Sequence, residues 1–205
     1  MMQLYYLPGA CSLADHIALE WTGAPYAAVA MTPRALRAPE YLALNPGANV
    51  PLLRDGDLLL TENVAVLHYL AECFPEAGLL GDTPRARAET MRWLAFMNSD
   101  VHGAFKSVFA LKALDEGDPH AALRISPAQR QVRACLERLD RQLAGRDWLT
   151  GTRSIADPYL FVMFRWAVGA DVGLDGLRNL TAFARRMYLD RGVRAALFTE
   201  EGLAL

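Results

Sequence analysis

Residues 49–74, NVPLLRDGDLLLTENVAVLHYLAECF, carry the decisive pattern. Two apolar runs, VPLL and LLL, flank Asp55-Gly56-Asp57, which has the residue types a tight turn needs, and together they predict a β-hairpin. From Thr61 to Phe74, Val64, Leu67 and Leu70-Ala71 recur on one face at helical spacing. Pro51 opens the PLL of the first run. A proline has no N–H to give to a ladder and marks an edge, a bulge or a cis bond. A cis Val50–Pro51 bond would turn the chain sharply and leave the Val50 N–H and C=O to pair with an extended, peptide-like ligand.

Upstream of this stretch, residues 2–7 (MQLYYL), bounded by Pro8-Gly9, predict a short buried strand. Ser12 and Asp15 form an S-x-x-D capping pattern. Leu13, Ile17 and Trp21 then keep helical spacing up to Thr22-Gly23. Residues 25–31 (PYAAVAM) predict a second strand, followed by an irregular stretch rich in proline and arginine. Residues 1 to 76 thus spell β-α-β-(α)-β-β-α. Past the loop PEAGLLGDTP the pattern changes, and only helical periodicities follow, over 84–114, 127–144, 155–170 and 177–200. They are separated by DEGDPH, AGRDWLTGTRS and GADVGLDG. The expected fold class is α/β plus all-α, with an N-terminal unit at 1–78 and a helix bundle at 85–205.

The 205 residues are 53% hydrophobic, enough for a substantial core. The formal net charge is -2 with 21 basic and 23 acidic residues, and the arginines are scattered, so neither nucleic acid nor an anionic membrane surface is an expected partner. No apolar run reaches membrane-spanning length and the N-terminus lacks a signal pattern, so a cytoplasmic protein is expected. Cys11, Cys73 and Cys135 are far apart, which argues against a disulfide framework and against a zinc cluster; no metal is expected.

Four pieces carry a family resemblance: Tyr6 with PGACSLA, NPGANVPLL, LTENVAVLHYLA and SIADPYLFVMFRW. The first half is similar to the thioredoxin fold. Joined to a helical domain, the chain resembles the glutathione S-transferases over essentially its whole length, and PGACSLA with its single cysteine resembles the bacterial beta class. The resemblance implies glutathione as co-substrate, a homodimer, and small hydrophobic electrophiles as the second substrate.

It also implies roles. Val50, before Pro51, would pair through its backbone with the cysteinyl part of glutathione, and Asn49 stands where the family has a polar amide. Glu62 and Asn63 open a helix whose N–H groups and dipole suit the γ-glutamyl carboxylate, with the Glu62 side chain on the α-ammonium. Ser99 and Asp100, in SDVH, would reach the γ-glutamyl group held by the other subunit. Phe105, Phe109 and Trp166 would line an apolar electrophile cleft. Tyr6 and Ser12 offer hydroxyls to the glutathione sulfur, although packing suits Tyr6 and helix capping suits Ser12. Ala95 and Gly103 depart from polar and basic positions of the family.

Cys11 stands at the mouth of the first helix, a setting expected to lower a thiol pKa. Moving a thiol from about 8.5 to about 6.5 takes roughly 2.7 kcal/mol, whereas a helix terminus supplies about 0.3 to 1. His102, on a long helix facing the first domain in this fold, is the expected second donor. Ala14 occupies the second C-x-x-C position, so any thiol chemistry is that of one cysteine, conjugation or a mixed disulfide with glutathione. Two other functions fit the same fold: a ligand-binding or stress-response protein without turnover, and a glutathione-dependent oxidoreductase acting on disulfides or peroxides. His16, His68 and His120 are expected to pack or meet solvent, and Cys73 and Cys135 to be small apolar fillers.

Overall fold

The computed structural model describes residues 1–114 and 121–202. β1 (Met2–Tyr6), β2 (Tyr26–Ala30), β3 (Leu52–Asp55) and β4 (Leu58–Thr61) form one mixed sheet of order β2-β1-β3-β4. β1 runs parallel to β2 and antiparallel to β3, and β3 to β4 is the hairpin expected around Gly56, with Leu53 opposite both Leu4 and Leu60. The parallel pair needs a crossover, which α1 (Leu13–Thr22) supplies. α1 and α3 (Asn63–Cys73) bury Ile17, Leu67 and Leu70 in the same core as Leu4 and Leu53. A smaller cluster, Met31, Leu36, Tyr41 and Leu52, is built with the short α2 (Pro39–Leu42). The Val50–Pro51 bond is cis, and because Tyr5 registers with Leu52, Val50 stands just ahead of the ladder.

The second half is helical, as expected, with different breaks. α4 (Pro84–Phe96) is capped by Thr83, whose hydroxyl accepts the Ala86 N–H at 3.1 Å, with Pro84 in the first turn where its missing N–H costs nothing. A π-turn, Met97–Val101, separates it from α5 (His102–Leu114), so the expected helix over 84–114 carries one widened turn. The expected DEGDPH loop, with His120, lies outside the described residues. α6 (Ala121–Gln142) starts before the expected residue 127 and contains Pro127. The expected 177–200 helix is two, α8 (Arg178–Leu189) and α9 (Arg191–Glu201), because Asp190 is extended and its carboxylate caps Val193 N–H at 3.0 Å.

α7 (Ala156–Gly169) is the pillar: residues 154–164 are all buried, which is what a helix apolar all round requires. Its start is tied down by Asp157, which accepts the N–H groups of Leu149 (2.8 Å) and Ser154 (2.7 Å), so Ser154 and Asp157, spaced S-x-x-D, close the helix entry. α9 lies across α1: Trp21 donates to Asp190 at 2.7 Å, and His16 Nδ1 lies 2.9 Å from Glu200 Oε1 with both side chains fully buried. The sequence reading left His16 without a partner; it is part of this inter-element pair. Cys135 packs against the core as expected, but Cys73 is exposed on α3 and fills nothing. No described helix is long and apolar enough to cross a membrane.

Candidate active site

The turn between β1 and α1 meets the helical domain at a cavity of about 550 Å³, walled by Leu7, Pro8, Gly9, Ala10 and Cys11 on one side and by His102, Phe109, Val162, Arg165 and Trp166 on the other. Gly9 takes φ +78°, a left-handed conformation that glycine adopts freely. Ser12 does not cap α1. Its buried hydroxyl accepts the Leu7 N–H at 3.2 Å and closes the turn on itself. Trp166 clamps the turn from the other domain, donating its indole N–H to Gly9 O at 2.8 Å.

Cys11 is half-buried and its thiol donates to Val50 O at 3.6 Å. The expected thiolate is not what this setting favours: burial first, and then the negative charge of Asp15, push the Cys11 thiol up to about 12 against the opposing pull of the Cys11 and Ser12 N–H groups. Asp15 lies fully buried in the first turn of α1, so the same helix end that offers N–H groups also carries a carboxylate. With its amide turned to face them, Asn63 Nδ2 donates to Asp15 Oδ2 at 2.7 Å and to Cys11 O at 3.1 Å. The Asn63 side chain is therefore buried behind the cysteine turn, and only its backbone is left to a ligand.

Glu62 is exposed and holds φ 72°, ψ 113°, a conformation costly for a residue with a Cβ and one that persists only where surrounding structure enforces it. It presents the N–H groups of the first turn of α3, which by helix geometry have no intrahelical acceptor. Asn49 is exposed, and its carbonyl is braced from behind by the Tyr41 hydroxyl (2.6 Å) and Asn45 Nδ2 (2.9 Å), which holds the segment entering Val50. Tyr6 is not at the cavity: it is buried and its hydroxyl donates to Thr199 O at 3.3 Å, a packing role against α9. Ser99 and Asp100 are exposed on the π-turn, where the Ser99 hydroxyl reaches Ala95 O at 2.8 Å.

His102 faces the cavity with its ring edge-on to Trp166, centroids 4.8 Å apart. Burial, with Lys106 adding to it, lowers its pKa to about 4, so the imidazole is neutral at neutral pH. Its Nδ1 lies 2.8 Å from the Tyr159 hydroxyl, which donates onward to Asn98 Oδ1 at 3.2 Å. Phe109 and Trp166 wall the cavity, but Phe105 does not: it is fully buried and stacks behind Phe109 with centroids 5.7 Å apart. Tyr159 and Asn98 escaped the sequence reading. The available signal was a lone hydroxyl within the run YLFVMF, since a buried polar group demands partners. Among the described residues no cluster of His, Cys, Asp or Glu could hold a metal ion.

The glutathione S-transferase N-terminal family model matches residues 1–72, and the C-terminal one matches residues 108–186. The chain is 45% identical to a glutathione S-transferase of Xanthomonas campestris over 201 residues, covering 97% of this chain and 98% of that one. The chain belongs to the glutathione S-transferase family. The transferase superimposes on the glutathione S-transferase of Xylella fastidiosa with a TM-score of 0.93 at 45% identity, covering 99% of this chain and 100% of that one. It superimposes on the beta-class enzyme of Sphingomonas chungbukensis with a TM-score of 0.85 at 34% identity, covering 98% and 100%.

Proposed function

We propose that this transferase joins the thiol of glutathione to small apolar electrophiles, with the electrophile in the cavity and His102 taking the thiol proton. The observation that carries the reading is the cavity itself, where the cysteine turn of the first domain faces a neutral imidazole and the apolar walls of Phe109, Val162 and Trp166 in the second. Glutathione would lie along Asn49 and Val50, with its γ-glutamyl end at Glu62 and the first turn of α3. The Cys11 and Ser12 N–H groups and the imidazolium would stabilise the sulfur as its proton leaves. Sulfur then bonds to the electrophilic carbon, the leaving group departs with its electron pair, and the proton on His102 passes to water.

A homodimer and a cytoplasmic setting complete the proposal. Support for the dimer comes from a groove between α3 and α4 that includes Leu60, Val64 and Met91, beside the exposed Leu58 and Leu59 of β4. Ser99 and Asp100 are exposed on the π-turn and would serve the glutathione of the partner subunit.

The test is a conjugation assay with glutathione and an activated halonitroarene, alongside intact mass after incubation with glutathione disulfide. His102→Ala is expected to lose about 100-fold in rate, and Cys11→Ala to stay within a few-fold of wild type. Absence of conjugation in the wild type overturns the reading in favour of a binding protein. A glutathione adduct that vanishes in Cys11→Ala, with no conjugation, replaces it with disulfide exchange.

A further inference from the structure

The chain of contacts behind His102 does more than hold the ring. We propose that Tyr159, anchored by Asn98, is a positioning residue that fixes His102 as its Nδ1–H tautomer and so leaves Nε2 bare toward the cavity. The inference rests on the reading of His102 as the acceptor of the thiol proton.

A phenol has one proton. In this structure the Tyr159 hydroxyl gives it to Asn98 Oδ1 at 3.2 Å, so the contact at 2.8 Å to His102 Nδ1 is one in which the imidazole donates and the phenol oxygen accepts. Tyr159 is fully buried, and burial together with the charges of Cys11, Asp15 and Glu62 raises its pKa, so the phenol stays protonated and keeps its direction. A neutral imidazole carries a single N–H, and the partner of one ring nitrogen decides which one bears it. With Nδ1–H committed to Tyr159, Nε2 holds a lone pair. The ring lines the cavity, and Nδ1 is turned away from it, so the edge left for the cavity is the Nε2 edge.

The consequence is chemical. An Nε2–H tautomer would set a donor against the S–H of glutathione, with no acceptor for its proton. The Nδ1–H tautomer accepts that proton at Nε2, and the resulting imidazolium still donates from Nδ1 to the Tyr159 oxygen, so no hydrogen bond is lost as the charge appears. After the carbon–sulfur bond has formed, the Nε2 proton leaves to water and the ring returns to its starting tautomer.

The experiment is ¹⁵N–¹H correlation NMR of the imidazole rings in the full-length protein near pH 7, with the His102 signals assigned by His102→Gln, beside conjugation kinetics of Tyr159→Phe. The wild type is expected to show a protonated Nδ1 and an unprotonated Nε2 at His102. Tyr159→Phe is expected to shift the ring toward the Nε2–H form and to lower kcat about tenfold, leaving KM for glutathione nearly unchanged. An Nε2–H signal in the wild type overturns the inference, even if Tyr159→Phe fails to fold. So does a Tyr159→Phe protein with unaltered tautomer and kcat. If His102→Gln itself conjugates at the wild-type rate, it is the reading of His102 as proton acceptor that fails, whatever the tautomer.

Discussion

Cys11 and His102 meet at one cavity and burial holds both in their neutral forms, the thiol with its proton and the imidazole without one. For Cys11, whose thiol is pushed up to about 12, alkylation by iodoacetamide at pH 7.5 should be slow. Peptide mass mapping should find the exposed Cys73 modified first; faster labelling at Cys11 would contradict the burial of its thiolate form. For His102 the folded pKa of about 4 lies below the ordinary histidine value of 6.5, so between those values the unfolded chain binds the proton that the native site refuses. Its contribution is therefore complete above pH 6.5 and declines as the pH falls toward 4. Urea unfolding of His102→Gln against wild type should show a smaller loss of stability across that interval in the variant. Both residues line the cavity, but the state of Cys11 was missed in the sequence, because a helix-end argument includes the N–H groups and omits a carboxylate one turn along the same helix.

Elements whose signals are local were legible. The hairpin around Gly56, α1, α3 and the apolar α7 all follow from turn chemistry and periodicity within a dozen residues. The break between α8 and α9 was not, since Asp190 reads as one more polar residue on a helix face until its carboxylate is seen capping Val193. That break lets α9 lie against α1 at Gly192. A Cβ there would stand 2.7 Å from Trp21 Cδ1, too close to be accommodated without moving the helix or the indole. Gly192→Ala should therefore cost about 1–3 kcal/mol in urea denaturation despite alanine's better helix propensity; an unchanged or raised midpoint would show that α9 yields easily.

Contacts remote in sequence, within the helical half and between the two halves, hold the molecule together, and these were invisible in the sequence. The His102–Tyr159 contact spans 57 positions and the His16–Glu200 contact spans 184; no periodicity reports such partners. Removing one member of the buried His16–Glu200 pair strands the other, so Glu200→Leu should destabilise by about 3 kcal/mol, while His16→Leu with Glu200→Leu should recover most of that loss. Additive losses in that cycle would mean that the two side chains are not coupled. The π-turn at Met97–Val101 works on the same scale. An α-helix advances about 100° of azimuth per residue, and a π-turn accommodates one extra residue without lengthening the rod by a full turn. His102 follows immediately, so the widened turn, by absorbing that residue, holds the compass bearing of its side chain. Excising one position, such as Ser99, would heal the rod into a continuous α-helix with the imidazole on its present bearing, whereas winding all the residues as unbroken α-helix would swing it by about 100°, away from the cysteine turn it now faces.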